Sequence, residues 1–135
     1  MSAQEYLRTA RAALDALGER ELDHIRAAAA LLVDAVVAER AIYSFGASHS
    51  FIITEELVYR TGGLMLVNPI YPHGMNLSVH PLPATSRFER IPGFGRELLC
   101  ASPAQAGDVL LITSTSGRTR ASRSCSSRVV VADAP

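Results

Sequence analysis

Two short loops rich in serine and threonine contain the residue types best suited to binding chemistry. The first loop is Gly46-Ala47-Ser48-His49-Ser50, and the second is Ser114-Thr115-Ser116-Gly117. Small residues let backbone N–H groups approach an anion, hydroxyl groups add hydrogen-bond donors, and the start of a following helix favours negative charge. This composition predicts a phosphate site, although serine and threonine also cap helices without binding any ligand.

Neither loop has the spacing of a common nucleotide-binding motif. The GxxxxGKS or GxxxxGKT pattern of nucleoside triphosphatases is absent from both loops, and the first loop lacks the GxGxxG pattern that binds dinucleotides. A nucleoside triphosphatase is therefore disfavoured, and so is a dinucleotide-dependent enzyme.

Three glutamates are candidates for acid–base chemistry. Glu55 and Glu56 lie one or two turns into a helix that is predicted to start at the first loop. Adjacent helical residues point about 100° apart, so only one of the two can face a site comfortably. Glu89 lies in a loop and is a third candidate. The alternatives are solvated helix charges for the first two and a surface ion pair with arginine for Glu89. His49 is a candidate for substrate contact, but capping or packing explains it nearly as well.

The elements that position these residues follow from the hydrophobic pattern. Short apolar runs at 41–45, 64–67 and 108–113 predict strands, and the last run is continuous enough for a strand covered on both faces. A helix is predicted from Phe51 to Tyr59. Alternating strands and helices predict a parallel, right-handed, three-layer α/β sheet, in which ligands bind beyond the carboxyl ends of the strands. Residues 68–92 contain five prolines and predict a long ordered loop with one short helical turn.

The first forty residues predict a helical hairpin. Apolar residues recur at helical spacing from Ala3 to Leu17 and again from Glu21 to Glu39, and Gly18 separates the two runs. The alanine-rich face of the second helix suits close packing on the sheet or a subunit contact better than it suits chemistry.

Composition limits the possible partners and location. Hydrophobic residues make up 48% of the chain, and 13 basic residues balance 13 acidic ones. This balance favours a globular protein and gives no electrostatic support for nucleic-acid binding. No segment has the roughly 18 uninterrupted apolar residues of a membrane span. Two widely separated cysteines give neither a redox pair nor a zinc site. We therefore expect a cytoplasmic protein without nucleic-acid or membrane partners.

Three longer motifs resemble the sugar isomerase (SIS) domain family. They are GASHSFIITEELVYRTGG at 46–63, TSRFERIPG at 85–93 and GDVLLITSTSGR at 107–118. The resemblance is closest to the uncharacterised, phosphoheptose-isomerase-like members of that family. It implies a flavodoxin-like parallel sheet flanked by helices, a phosphorylated sugar bound by the serine- and threonine-rich loop, and subunits that associate as homodimers or homotetramers.

The resemblance also implies roles for individual residues. Glu56 matches the base of phosphoheptose isomerases, and Glu55 precedes it in a similar Glu-Glu-Leu. No cofactor is implied. A metal is not expected either, because related zinc-using isomerases place a histidine one turn before the glutamate, where this chain has Ile52. The implied phosphate ligands are Ser48, Ser114, Thr115, Ser116 and Thr119.

Beyond Arg118 the resemblance stops. Residues 119–128 read TRASRSCSSR, which is dense in arginine and serine and has no acidic residue. We expect a helical hairpin at 1–40 that belongs to the same domain, a partial SIS domain at 41–118 and an atypical tail at 119–135. Truncation or a frameshift explains such a tail, and so does a natural disordered segment. The second half of the catalytic site is then missing, so isomerase activity does not follow automatically.

Three functions remain open at this point. The leading hypothesis is a domain that binds a phosphorylated sugar and derives from an aldose–ketose isomerase. The first alternative is a non-catalytic module that senses phosphosugars or regulates another protein. The second is an interaction domain whose serines only cap helices.

Overall fold

A computed structural model of the chain describes residues 1–115. In chain order the elements are α1 (Ala3–Arg20), α2 (Leu22–Val37), β1 (Ile42–Gly46), a 3-10 turn (Ser48–Ser50), α3 (Phe51–Leu57), β2 (Val67–Pro69), α4 (Ala84–Phe88), α5 (Phe94–Ala101) and β3 (Val109–Thr113).

The three described strands form one parallel sheet in the order β2-β1-β3. Ile42 at the start of β1 pairs with Val67 on one side and with Val109 on the other. At the far end of β1, Gly46 pairs with Thr113, the last residue of β3. Because both pairings are parallel, the loops that leave β1 and β3 emerge at the same edge of the sheet.

Helices cover both faces of the sheet, so the predicted three-layer α/β fold is confirmed. On one face, Phe45 and Ile112 form a core with Met75, against which α5 and the end of α4 pack. On the other face, Ile42 and Val67 pack against α2 and α3. Every residue of β1 is buried, as expected for the central strand of such a sheet.

A buried hydrogen bond fixes α3 to the central strand. The hydroxyl oxygens of Ser44 and Thr54 lie 2.8 Å apart, and both residues are completely inaccessible to solvent. Since one hydroxyl group donates a hydrogen bond to the other, each oxygen has a polar partner and both groups can lie inside the core. The contact joins the middle of α3 to the middle of β1.

The structure corrects two predicted boundaries. The second strand was predicted at residues 64–67, but β2 is Val67–Pro69 because side-chain and backbone hydrogen bonds pair this segment with β1. Asn68 Nδ2 donates to the carbonyl oxygen of Ile42 at 3.1 Å. The helix α3 ends at Leu57 rather than at Tyr59, since Tyr59 has a left-handed φ of 49° that a helix cannot contain.

The predicted helical hairpin is present at the N-terminus. The hydroxyl oxygen of Ser2 caps α1 by accepting a hydrogen bond from the N–H of Glu5 at 3.2 Å, and the helix continues through Gly18 to Arg20. No residue of α1 is buried among the described residues, whereas α2 places Ala35 in the core. One face of the sheet is therefore covered by α2, whereas α1 contributes no buried residue to the core.

Candidate functional site

The first loop depends on a glycine. A Cβ atom at Gly46 would lie 2.4 Å from the carbonyl oxygen of Ser50 and 2.8 Å from the nitrogen of Phe51. Both contacts are with backbone atoms, so no side-chain rotation relieves them. Ser48 has a left-handed φ of 55°, and its N–H donates to the carbonyl oxygen of Met75 at 2.7 Å. The loop is thus folded tightly on itself and attached to the core behind it.

The second loop meets the first at the same edge of the sheet. Ser114 follows β3 directly and is only 6% exposed, while Thr115 reaches solvent. Thr115 Oγ1 lies 3.4 Å from Ser50 Oγ, which connects the two loops. The predicted meeting of the loops beyond adjacent strand ends is therefore present, as the general geometry of parallel sheets requires.

A pocket of about 170 Å³ lies between these loops. Residues with hydroxyl side chains dominate its lining, and a histidine and a glutamate complete it. The lining residues are Ala47, Ser48, His49, Ser50, Glu89, Thr113, Ser114 and Thr115. Several weak neutral donors around a small space suit an anionic group such as phosphate.

Glu89 supplies the pocket's carboxyl group. It follows α4, and its N–H donates to the carbonyl oxygen of Thr85 at 3.0 Å. Partial burial raises the pKa of Glu89 above its ordinary value, and the positive charge of Arg90 opposes that rise. A carboxyl group with a raised pKa can exchange a proton closer to neutral pH than an ordinary glutamate can.

Glu55 and Glu56 lie elsewhere. Both are exposed, neither lines this pocket, and Glu56 forms an ion pair with Arg60. The inward side of α3 is formed by Phe51 and Thr54, which are buried. The structure therefore brings Glu89 to the hydroxyl loops and leaves Glu55 and Glu56 outside the pocket, so a catalytic role for either of them stays a prediction.

The remaining predicted ligands divide into two groups. Ser48, His49, Ser114 and Thr115 all line the pocket. Ser116 and Thr119 lie outside the described residues, as does the predicted tail at 119–135.

Two lining residues that carry hydroxyl groups were not selected as ligands from the sequence. They are Ser50 and Thr113. The position of Ser50 in the loop already selected for phosphate binding was a usable signal for the first. Thr113 gave no such signal, since it reads simply as the end of a strand.

The described part of the chain offers no obvious metal cluster or membrane span. Among residues 1–115, no three His, Cys, Asp or Glu side chains lie close enough together to hold a metal ion. In the same region, no helix combines the length and apolar character needed to cross a membrane.

Comparisons with known proteins identify the family. The sequence model of the SIS domain family matches residues 5–124. A UPF0309 protein of Oceanobacillus iheyensis is 43% identical over 115 residues, which cover 85% of this chain and 47% of that protein. A UPF0309 protein of Shouchella clausii is 47% identical over 91 residues, covering 67% and 37% respectively. A third, from Streptomyces griseus, is 41% identical over 101 residues, covering 74% and 40%. The chain spans about half the length of these relatives or less, and it belongs to the SIS domain family.

Proposed function

We propose that this chain binds a phosphorylated sugar in the pocket between the loops that follow β1 and β3. The observation that carries the proposal is the position of Ser48, Ser50 and Thr115 around one small space at adjacent strand ends, where the hydroxyl oxygens of Ser50 and Thr115 lie 3.4 Å apart. Membership of the SIS domain family supports a sugar as the remainder of the ligand.

The pocket would hold phosphate mainly through neutral donors. No arginine or lysine lines it within the described residues, and His49 is its one potential cation. Hydrogen bonds from neutral hydroxyl and N–H groups to a charged oxygen are shorter and stronger than those between neutral groups. Affinity should therefore depend less on salt concentration than in sites built from several arginines, because few ion pairs are available for screening.

Calorimetry with a panel of aldose and ketose phosphates tests the proposal. We expect at least one member to bind and its unphosphorylated sugar to bind far more weakly. The double variant Ser48→Ala and Thr115→Ala should lose roughly tenfold or more in affinity, since a hydrogen bond to a charged group contributes about 1.5–3 kcal/mol. Thr9→Ala on the exposed face of α1 is the matched control and should bind like the parent. A folded chain that binds no member would leave only the interaction domain.

A second candidate function is aldose–ketose isomerisation. The observation that favours it is the position of the Glu89 carboxyl group in the pocket, where partial burial raises its pKa. Moving a proton between adjacent sugar carbons needs a base of this kind. If a bound sugar phosphate is interconverted, Glu89→Gln and Glu56→Gln identify which glutamate acts as the base. Binding without turnover by the parent chain would instead support a phosphosugar-sensing module.

A further inference from the structure

Glu89 differs from the other acidic side chains of the described region in what surrounds it. It is the one acidic residue that lines the pocket, alongside loop residues such as Ser48 and Ser114. It reaches this place from a third segment of chain, after α4, so it is not part of either hydroxyl loop. The pocket therefore has a wall that carries negative charge and two loops that carry hydrogen-bond donors.

The backbone around Glu89 is well anchored. Thr85, one turn earlier, is 5% exposed, and its hydroxyl group donates to the carbonyl oxygen of Leu82 at 2.9 Å. The ring of the preceding residue, Phe88, lies 5.8 Å from that of Phe94, centre to centre, and packs against the main core. The backbone that carries Glu89 is therefore held in place before any ligand arrives, which removes part of the entropy cost of binding.

The carboxylates that form ion pairs in the described region lie on the surface, unlike Glu89. Four ion pairs occur among residues 1–115, formed by Glu21, Asp23, Glu56 and Glu97. Glu89 takes part in none of them, and Arg90 influences it only through its electrostatic field. Among residues 1–115, therefore, no guanidinium group forms an ion pair with its oxygen atoms.

The chemistry of the carboxylate limits what it can recognise. An ionised carboxylate only accepts hydrogen bonds, and it repels a phosphate group. It does accept hydrogen bonds from hydroxyl groups, which sugars carry in abundance. A ligand that forms hydrogen bonds with both loops and with Glu89 therefore places its phosphate at the loops and its hydroxyl groups at Glu89.

We infer that Glu89 is a specificity-determining residue, which accepts hydrogen bonds from the hydroxyl groups of a ligand whose phosphate lies at the two loops. The inference rests on the proposed function and deepens it, because it assigns recognition of the sugar's hydroxyl groups to one residue of the pocket. Simple alkyl phosphates and orthophosphate can form hydrogen bonds with the loops but offer no sugar hydroxyl group to Glu89. They are expected to bind less tightly than a matching sugar phosphate.

The experiment compares orthophosphate, an alkyl phosphate without hydroxyl groups and the best-binding sugar phosphate by calorimetry at neutral pH. In Glu89→Gln the affinity for the sugar phosphate should fall about tenfold or more, as for the loss of a charged hydrogen bond. Affinity for orthophosphate should be unchanged or higher, because a like charge has been removed. Glu97→Gln, which changes an exposed carboxylate on α5, is the matched control and should alter neither.

Glu89→Asp provides a second variant that keeps the charge but withdraws the carboxylate by one methylene group. It should lower affinity for the sugar phosphate while leaving that for orthophosphate unchanged, with circular dichroism verifying the fold of each variant. Equal changes for both ligands in Glu89→Gln would overturn the inference, and so would a parent that binds the alkyl phosphate as tightly as the sugar phosphate. A parent that binds no phosphate ester at all would instead overturn the proposed function.

Discussion

At Gly46 the absence of a side chain determines the shape of the pocket. Gly46→Ala would place a Cβ atom 2.4 Å from the carbonyl oxygen of Ser50. The loop must then shift, so we expect the free energy of unfolding to fall by roughly 1–3 kcal/mol, as in overpacked sites, and the proposed phosphate binding to weaken. Urea denaturation and calorimetry measure the two effects.

Gly18→Ala is the control for that variant. No atom lies within 4 Å of a Cβ built at Gly18, which is inside α1. Alanine is favoured over glycine in helices, so this change should leave stability unchanged or raise it by about 0.5–1 kcal/mol. If both variants had the same stability and affinity, the close backbone approach at Gly46 would not control the loop.

The ionisation of Glu89 links stability to pH. Partial burial raises its pKa in the folded protein, so the folded state favours the protonated form more than the unfolded state does. The contribution of Glu89 to stability is therefore present at acidic pH and is lost as pH rises through its folded pKa. Glu89→Gln removes this loss. The melting temperature of the variant minus that of the parent should therefore be larger at pH 7 than at pH 4.

The control for that pH series is Glu97→Gln. The Glu97 carboxylate is exposed and pairs with Arg96 at 3.1 Å, so its removal should give no stabilisation at pH 7. A Glu89→Gln difference that is constant from pH 4 to pH 7 would contradict the expected burial effect.

The position of individual site residues was only partly predictable. The meeting of the loops that contain Ser48 and Ser114 was predictable, because the carboxyl ends of parallel strands lie at one edge of the sheet. Glu89 was one weak candidate among three, since its place depends on how residues 68–92 fold back over the sheet. No periodic pattern encodes such a path. The outward direction of Glu56 likewise depends on which side of α3 meets the core.

At the scale of elements, the contact between α3 and β1 depends on one buried pair of hydroxyl groups. Ser44→Ala leaves the Thr54 hydroxyl group without its partner in the core, which should cost about 1–3 kcal/mol of unfolding free energy. The double variant Ser44→Ala and Thr54→Val removes both polar groups. We expect its loss of unfolding free energy to be smaller than the sum of the losses in Ser44→Ala and Thr54→Val. Urea denaturation of the parent, the two single variants and the double variant measures this difference.

Thr9→Ala calibrates this series, because Thr9 is exposed on α1 and its change should fall within about 0.5 kcal/mol of the parent. Strictly additive effects of the two core substitutions would mean that Ser44 and Thr54 are not energetically coupled.

Element type was more predictable than element boundaries. β1 and β3 follow from short apolar runs, although only β1 is buried along its whole length and β3 alternates between buried and half-buried residues. β2 was placed three residues early because Leu64, Met65 and Leu66 are apolar, yet they are 40%, 81% and 52% exposed. The bounds of β2 are set by the pairing of Asn68 and its neighbours with β1. Because this pairing joins residues that are distant in the chain, the local sequence does not predict it.

At the scale of the whole molecule, buried contacts are unevenly distributed. β1 is buried along its whole length, between β2 and β3, whereas α1 has no buried residue in the described chain. Ile42→Ala, at a residue only 1% exposed, should cost about 2–5 kcal/mol. Leu14→Ala, at a residue 69% exposed, is expected to cost far less by the same denaturation measurement.

The same distribution predicts how the protein opens under native conditions. Regions with few buried contacts open locally at low free energy, whereas central strands exchange their amide hydrogens only on nearly global unfolding. Amides of α1 should therefore exchange orders of magnitude faster than those of β1 in a hydrogen-exchange experiment read by mass spectrometry or NMR. Protection in α2, which contributes Ala35 to the core, should be intermediate. Equal protection of α1 and β1 at low protein concentration would show that α1 belongs to the same cooperative unit as the sheet.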